Sequence, residues 1–501
     1  MPRSLYTKLH RRFGPALRGS ERVQKAEDTR RALMKWIPEA GATPRQAEPG
    51  RVIVVGAGFG GLSTAFWLSR YGFEVTVLEA RDRVGGRVHS LTDFTPGRVI
   101  EAGGELIGLN HPLWLDFARR FGLGLSVVTP EDDYAGAGLE VPLRLQGSIL
   151  PPETAERVYD EMTEAFEKAV EDARGINPYV PFTAPDAKKL DHLPLSDWIA
   201  GLDVSALTKV ALAVLFSNEN GEPPRRQSYL SILALIGGGG GMEYFTETEV
   251  FRCARGNQAL ATRLASEIGG DKIKMSCPVH EITIGDGSVS VKALDGTYSG
   301  DYVVLAVPPS TWPKIAIHPA FPPGTQMNMG PVVKYLSNVK ARFWIREGRA
   351  PSGTSEDLGN TWEGTDNQMV TGDQGLELTS YAGGESASRA LASDDPRAYF
   401  TREIGKVYPG YAQSLLTSLF VPWPRDPWTL GGFSAPLPGQ VTTIGPFLNS
   451  AFQGRLFFAG EHACLAFHGF MEGALQSGLL AALRIGIAKG RFSAAVLPYD
   501  S

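Results

Sequence analysis

The sequence predicts an α/β protein built around a doubly wound parallel sheet, and three observations in one stretch carry that prediction. Val52 to Val55 is a β-branched run, apolar on both faces without alternation, as a strand covered on both sides must be. Gly56, Gly58 and Gly61 follow at once as G-x-G-x-x-G: the first allows a tight turn, the second lets a pyrophosphate approach the backbone, and the third brings helix against strand. The next strand, Glu74 to Leu78, ends on Glu79, where such a unit needs a carboxylate for a ribose hydroxyl. A glycine triplet alone is a weak signal; strand, glycines, helix, strand and acid in that order specify a Rossmann-like dinucleotide site.

At 501 residues the chain exceeds one ordinary core and calls for more than one domain. A net charge of −5 offers no basic surface, so no nucleic acid partner is expected. Cys253, Cys277 and Cys464 are scattered, and the histidines form no His-x-x-x-His pair. With no Cys-x-x-Cys and no G-x-S-x-G between strand and helix, neither a metal site nor a serine nucleophile is expected. No run reaches the length of a membrane span, Leu479 to Ile487 being too short, and no apolar signal region follows Arg11-Arg12; a cytoplasmic protein is expected.

Ahead of the first strand, residues 1–50 read as an extension, with a helix from Ser20 to about Ile37 and a linker from Pro44 to Gly50. A second glycine-rich passage runs from Ile100 to Gly108. Helical spacing then marks Trp114 to Phe121, Pro152 to Ala173, Leu195 to Ala200, Ser205 to Phe216 and Arg226 to Ile236 as a helical subdomain. Gly237 to Gly241 should sustain neither helix nor strand. Strands are expected at Ser288 to Ala293 and Tyr302 to Val307 about a turn at Asp295-Gly296, and again at Val332 to Phe343 and Leu376 to Ala382. Pro396 to Val407 reads as a helix, Gly454 to Gly460 as an apolar strand ending in glycine, and Met471 to Lys489 as a closing helix.

Ala80-Arg81-Asp82-Arg83-Val84-Gly85-Gly86-Arg87 sets two glycines and three arginines just past the acidic residue, which suits a second loop over a diphosphate and a bulky ring. With Glu79 it resembles the E-A-x-x-x-x-G-G-R of the flavin-containing amine oxidase family, and the resemblance continues through everything after the extension. It implies FAD as cofactor. It also implies a FAD-binding domain assembled from residues 51–111, 251–325 and 441–501, with residues 112–250 and 326–440 interleaved as the helical subdomain and an α+β substrate domain. Beyond the first motif it brings Arg81, Gly86 and Arg87, the passage at Gly104 and Glu105, Val279 at the adenine end, and Gly460, Glu461, Phe470 and Met471 to the cofactor.

Lys334 falls inside an apolar strand and matches the lysine that, in the family, holds a water against flavin N5; a charge there is desolvated, so a surface role is disfavoured. Trp423 and Phe433, in W-P-R-D-P-W-T-L-G-G-F, and Phe470, in H-G-F-M-E-G, match the family's aromatic cage. Two phenylalanines exclude water but carry no phenol to act as acid or base. Gly432 stands where monoamine oxidases have the cysteine that attaches FAD, so a noncovalent FAD is expected.

The resemblance implies transfer of hydride from the carbon bearing a neutral amine, with dioxygen as reoxidant, and a small amine or amino acid as partner. Leu106 replaces the arginine that pairs the α-carboxylate in familiar L-amino acid oxidases, which argues for an amine. The extension, Gly432 and the missing membrane anchor resemble bacterial L-amino acid oxidases instead, with Arg226 or Arg252 as an alternative cation. The expectation is therefore an L-amino acid oxidase preferring apolar or aromatic side chains, forming a homo-oligomer. A monoamine or polyamine oxidase, and more distantly a non-oxidase flavoprotein dehydrogenase, are the alternatives.

Overall fold

The computed structural model describes residues 4–15, 49–368 and 375–498, with single positions between 24 and 31. The helix expected from Ser20 to Ile37 lies, apart from those positions, outside the described residues, as do residues 44–48 of the linker. An unexpected helix, Leu5–Phe13, precedes them, capped where Ser4 Oγ accepts from Thr7 N. Its many basic residues concealed it: Lys8 is fully buried, and its Nζ donates to Gly353 O, Thr354 Oγ1 and Asn360 Oδ1. Tyr6 packs edge-on to Phe166 of the helix Pro152–Ala173.

Five parallel strands form the central sheet, in the order Leu456–Phe458, Tyr302–Leu305, Arg51–Val55, Glu74–Leu78, Ile273–Lys274. Val52 and Val54 face a cluster that includes the helices Phe59–Arg70 and Met471–Ala488. Ile53 and Val55 face the opposite one, with Ile282 and Val291 of a four-stranded sheet. Burial on both faces is why the first strand shows no alternation. Gly61 joins helix to turn, since a Cβ there would lie 1.9 Å from Gly56 O.

A seven-stranded sheet carries the rest, in the order Leu415–Pro422, Val332–Val339, Leu376–Gly383, Gly359–Glu363, Thr354–Ser355, Leu143–Leu145, Ser148–Ile149. Two expectations need correction. The strand from Val332 stops at Val339 and a helical turn, Phe343–Arg346, follows. The helix Tyr229–Gly238 also runs through the first two glycines of the five. A Cβ at Gly238 would sit 2.1 Å from Ala466 O, so glycine there serves close packing, and only Gly240 and Gly241, at φ +92° and +82°, turn the chain away.

Candidate active site

A cavity extends from the carboxyl ends of the strands Arg51–Val55 and Glu74–Leu78 to the strand Val332–Val339. At one end the turn Gly56–Gly60 forms its floor, with Glu79, Arg81, Val279 and Ala306 to Pro308 around it. The helix Phe59–Arg70 begins there with Gly58 as N-cap and no side chain on its free N–H groups. A Cβ at Gly58 would meet only Gly86 Cα, at 4.0 Å. Open backbone at a helix N-terminus fits a diphosphate. Glu79 is fixed by two amides, Ala57 N to Oε2 (2.6 Å) and Arg81 N to Oε1 (2.8 Å). Burial nevertheless pushes its carboxyl above the usual range. Arg81 donates to Asp426 Oδ1 at 2.6 Å and Thr429 Oγ1 at 3.0 Å.

The other end is lined by Val88, Gly104, Lys334, Tyr381, Trp423, Phe433, Phe470 and Met471. Gly104 packs under the Met471 side chain, whose Cγ lies 3.2 Å from where a Cβ would be. Trp423 Nε1 donates to Ala102 O at 3.0 Å. Phe470 packs against His111 and Tyr244, while Phe433 clusters with Val332, Trp362 and Tyr381. Lys334 is 4% exposed, and its Nζ donates to Glu105 Oε2 (2.6 Å) and Glu101 O (2.9 Å). Glu105 Oε1 accepts from Trp362 Nε1 at 2.8 Å and lies 3.0 Å from Arg252 Nε. Burial would raise the Glu105 carboxyl, but Lys334 and then Arg252 bring it below its ordinary range. Burial pushes two neighbouring acids the other way, Glu101 to about 7 and Glu377 to about 8.

Gly56, Gly58, Glu79, Arg81, Gly86, Arg87, Gly104, Val279, Lys334, Trp423, Phe433, Gly460, Glu461, Phe470 and Met471 all line this cavity. Four expected residues do not. Gly61 packs helix on turn instead, and Glu105 turns away to hold Lys334. Arg252 is buried behind the wall, where its guanidinium also donates to Glu363 O and Gly364 O. Arg226 sits half-exposed on Glu222. Tyr381 and Trp362 were missed. Tyr381 stands directly opposite Lys334 across the sheet, a pairing legible only once register is known; Trp362 lies on a strand whose single aromatic gave no periodic signal.

Gly432 has no room for a side chain, since a Cβ would lie 2.4 Å from Val332 Cγ2. Heat or acid precipitation is therefore expected to release all yellow colour into the supernatant; colour kept in the pellet would show a covalent flavin.

A dinucleotide cradle joined to an aromatic chamber with a buried lysine defines a flavin-dependent oxidoreductase. The chain belongs to the flavin-containing amine oxidoreductase family, whose model matches residues 59–486, and FAD is its cofactor. Residues 14–98 also match the pyridine nucleotide-disulphide oxidoreductase model. The chain is 28% identical over 450 residues to the nicotine dehydrogenase of Pseudomonas putida, covering 86% of this chain and 87% of that protein. It is 28% identical over 455 residues to the L-amino acid dehydrogenase of Synechocystis sp. (86% and 94%), and 28% over 466 residues to the flavin-containing amine oxidase of Danio rerio (88% and 87%). Cyclohexylamine oxidase from Brevibacterium oxydans shares the fold at a TM-score of 0.77 and 23% identity, covering 88% of this chain and 99% of that one. Among the described residues, no group of His, Cys, Asp or Glu is placed to hold a metal ion, and no helix is long and apolar enough to cross a membrane.

Proposed function

We propose that this enzyme oxidises an apolar amine lacking an α-carboxylate. The observation that supports this reading is that every cation on the cavity wall, among the described residues, is already engaged: Arg81 by Asp426, Arg87 by Glu461, Lys334 by Glu105, and Lys314 by Pro427 O. A carboxylate placed between Phe433 and Phe470 would have to share a cation that Glu105 or Glu461 already balances, and a buried uncompensated charge is costly. The expected L-amino acid reading relied on Arg226 or Arg252, and neither reaches the cavity. It retains the similarity to an L-amino acid dehydrogenase in its favour.

FAD, held by the Gly56–Gly60 turn, Glu79 and the wall at Gly104 and Met471, would supply the two-electron acceptor for oxidation of the carbon that bears the amine, with dioxygen as final acceptor. The chain's own part is placement. Phe433 and Phe470 present apolar faces that exclude water and favour the neutral amine over the ammonium. Lys334 keeps a buried ammonium at the ring end. Neither phenylalanine carries a phenol and the Tyr381 hydroxyl is committed to Asn218 O, so in this reading the amine nitrogen enters the reaction already deprotonated.

The test is anaerobic bleaching of the purified yellow enzyme by phenethylamine, L-phenylalanine and D-phenylalanine at equal concentration, followed by air. Phenethylamine is expected to bleach at least about tenfold faster than either amino acid, a difference of about 1.4 kcal/mol in barrier. Faster bleaching by L-phenylalanine would return the assignment to an L-amino acid oxidase, and no bleaching by any of a broad amine panel would end both readings. Colour restored by air with release of peroxide supports dioxygen; colour restored only by an added dye would make the enzyme a dehydrogenase.

A further inference from the structure

We propose that Glu105 is a positioning residue that fixes the Lys334 ammonium, and with it the charge presented at the ring end of the cavity. The inference rests on the reading of that cavity as the FAD site. A buried ammonium needs an anion, and three buried acids surround Lys334. The Glu101 carboxylate is turned to Ser90 Oγ (2.9 Å) and Asn257 N (2.7 Å), offering Lys334 only its backbone carbonyl. The Glu377 carboxylate is turned to Ser337 N (3.0 Å) and Thr379 Oγ1 (2.7 Å). Only Glu105 touches the ammonium with a carboxylate oxygen.

Glu105 is itself immobilised. Trp362 and Arg252 hold its other oxygen, so it cannot swing away with the lysine. Of the three ammonium donors, Glu105 and Glu101 O take two, leaving one for the cavity that Lys334 lines. The charged and titratable groups facing this pair are Glu101, Glu377 and Arg252. Burial raises the Glu101 and Glu377 carboxyls, and Glu105, whose oxygen meets the ammonium at 2.6 Å, is the anion that balances Lys334. Without it, Lys334 would share a desolvated site with Arg252, and both effects favour loss of its proton.

The visible spectrum of the FAD-loaded protein, recorded without substrate between about pH 6 and 9 and set against that of Lys334→Met, which carries any contribution from the neighbouring Glu101 and Glu377 carboxyls, reads this directly. The wild-type spectrum is expected to change no more than that of Lys334→Met. Glu105→Gln should introduce a further titration, and Glu105→Gln/Lys334→Met should abolish it. In the Lys334→Met background, Glu105→Gln should change the rate of amine-driven bleaching by less than about twofold, since the two residues act as one unit. No further titration in Glu105→Gln, or a further one that survives removal of Lys334, would overturn the proposal. Should Glu105→Gln fail to fold, Glu105→Asp keeps the charge but withdraws it by one methylene and is expected to show the same titration at higher pH; no further titration there would equally overturn it. Failure of every amine to bleach the flavin would refute the proposed function while leaving the spectral test intact.

Discussion

Lys334→Met is expected to leave the protein folded and yellow while slowing flavin reduction or reoxidation by at least about tenfold, about 1.4 kcal/mol of barrier. Methionine matches the length of the lysine stem and suits a strand whose neighbours Val333 and Tyr335 are buried. The anion left behind is not orphaned, because Glu105 keeps Trp362 and Arg252. Stability therefore changes little, and what is lost is a charged group with one donor left for the ring end of the cavity. Thermal melts and the visible spectrum check the first half of the expectation; stopped-flow bleaching by an amine and recolouring by air check the second. Kinetics indistinguishable from wild type in both half-reactions would remove Lys334 from the chemistry.

The sequence and the structure agree most closely where local rules decide the outcome. The first strand, its glycine turn, the following helix and Glu79 are all legible, because a parallel strand buried on both faces, a turn that needs positive φ at Gly56 and a helix packed on a backbone oxygen each restrict residue type within a few positions. Lys334 stood out for the same reason, as a charge in an apolar run. What could not be read was pairing at long range. Glu105 looked like a cofactor residue because it follows Gly104, yet its direction is set by Lys334, Arg252 and Trp362, which are far apart in the chain. Arg252 looked available for the same reason, and the two carbonyls that occupy its guanidinium come from Glu363 and Gly364. The helix Leu5–Phe13 was hidden by its lysine and arginines, whose partners are supplied by distant segments of the chain.

Arg87→Met is expected to be the most damaging single change on the cavity wall. Arg87 donates to Glu461 Oε1 at 2.6 Å and to Gly432 O at 2.9 Å. Glu461, 4% exposed, also accepts from Ser434 N and Oγ and from Gly469 N. Ser434 adjoins Phe433 and Gly469 adjoins Phe470, so one carboxylate gathers the chain segments of both rings and ties them to the loop that carries Arg87. Burial alone would raise this carboxyl, but Arg87 above all holds it down at about 2. Breaking such a pair costs about 3–5 kcal/mol, and the lower figure applies because the arginine side chain is 23% exposed. A carboxyl held below its unfolded value, about 4.3, contributes stability that is complete above that pH and fades as pH falls towards 2. In the variant the carboxyl is no longer held low and takes up its proton in the folded state, so the gap from wild type should be widest near neutrality and should narrow below about pH 4. Urea melts of the FAD-loaded proteins across that range, with retention of yellow colour on gel filtration as the second readout, measure it. Equal midpoints at neutral pH, or a gap that stays constant on acidification, would show that Arg87 and Glu461 do not hold the two phenylalanines in place.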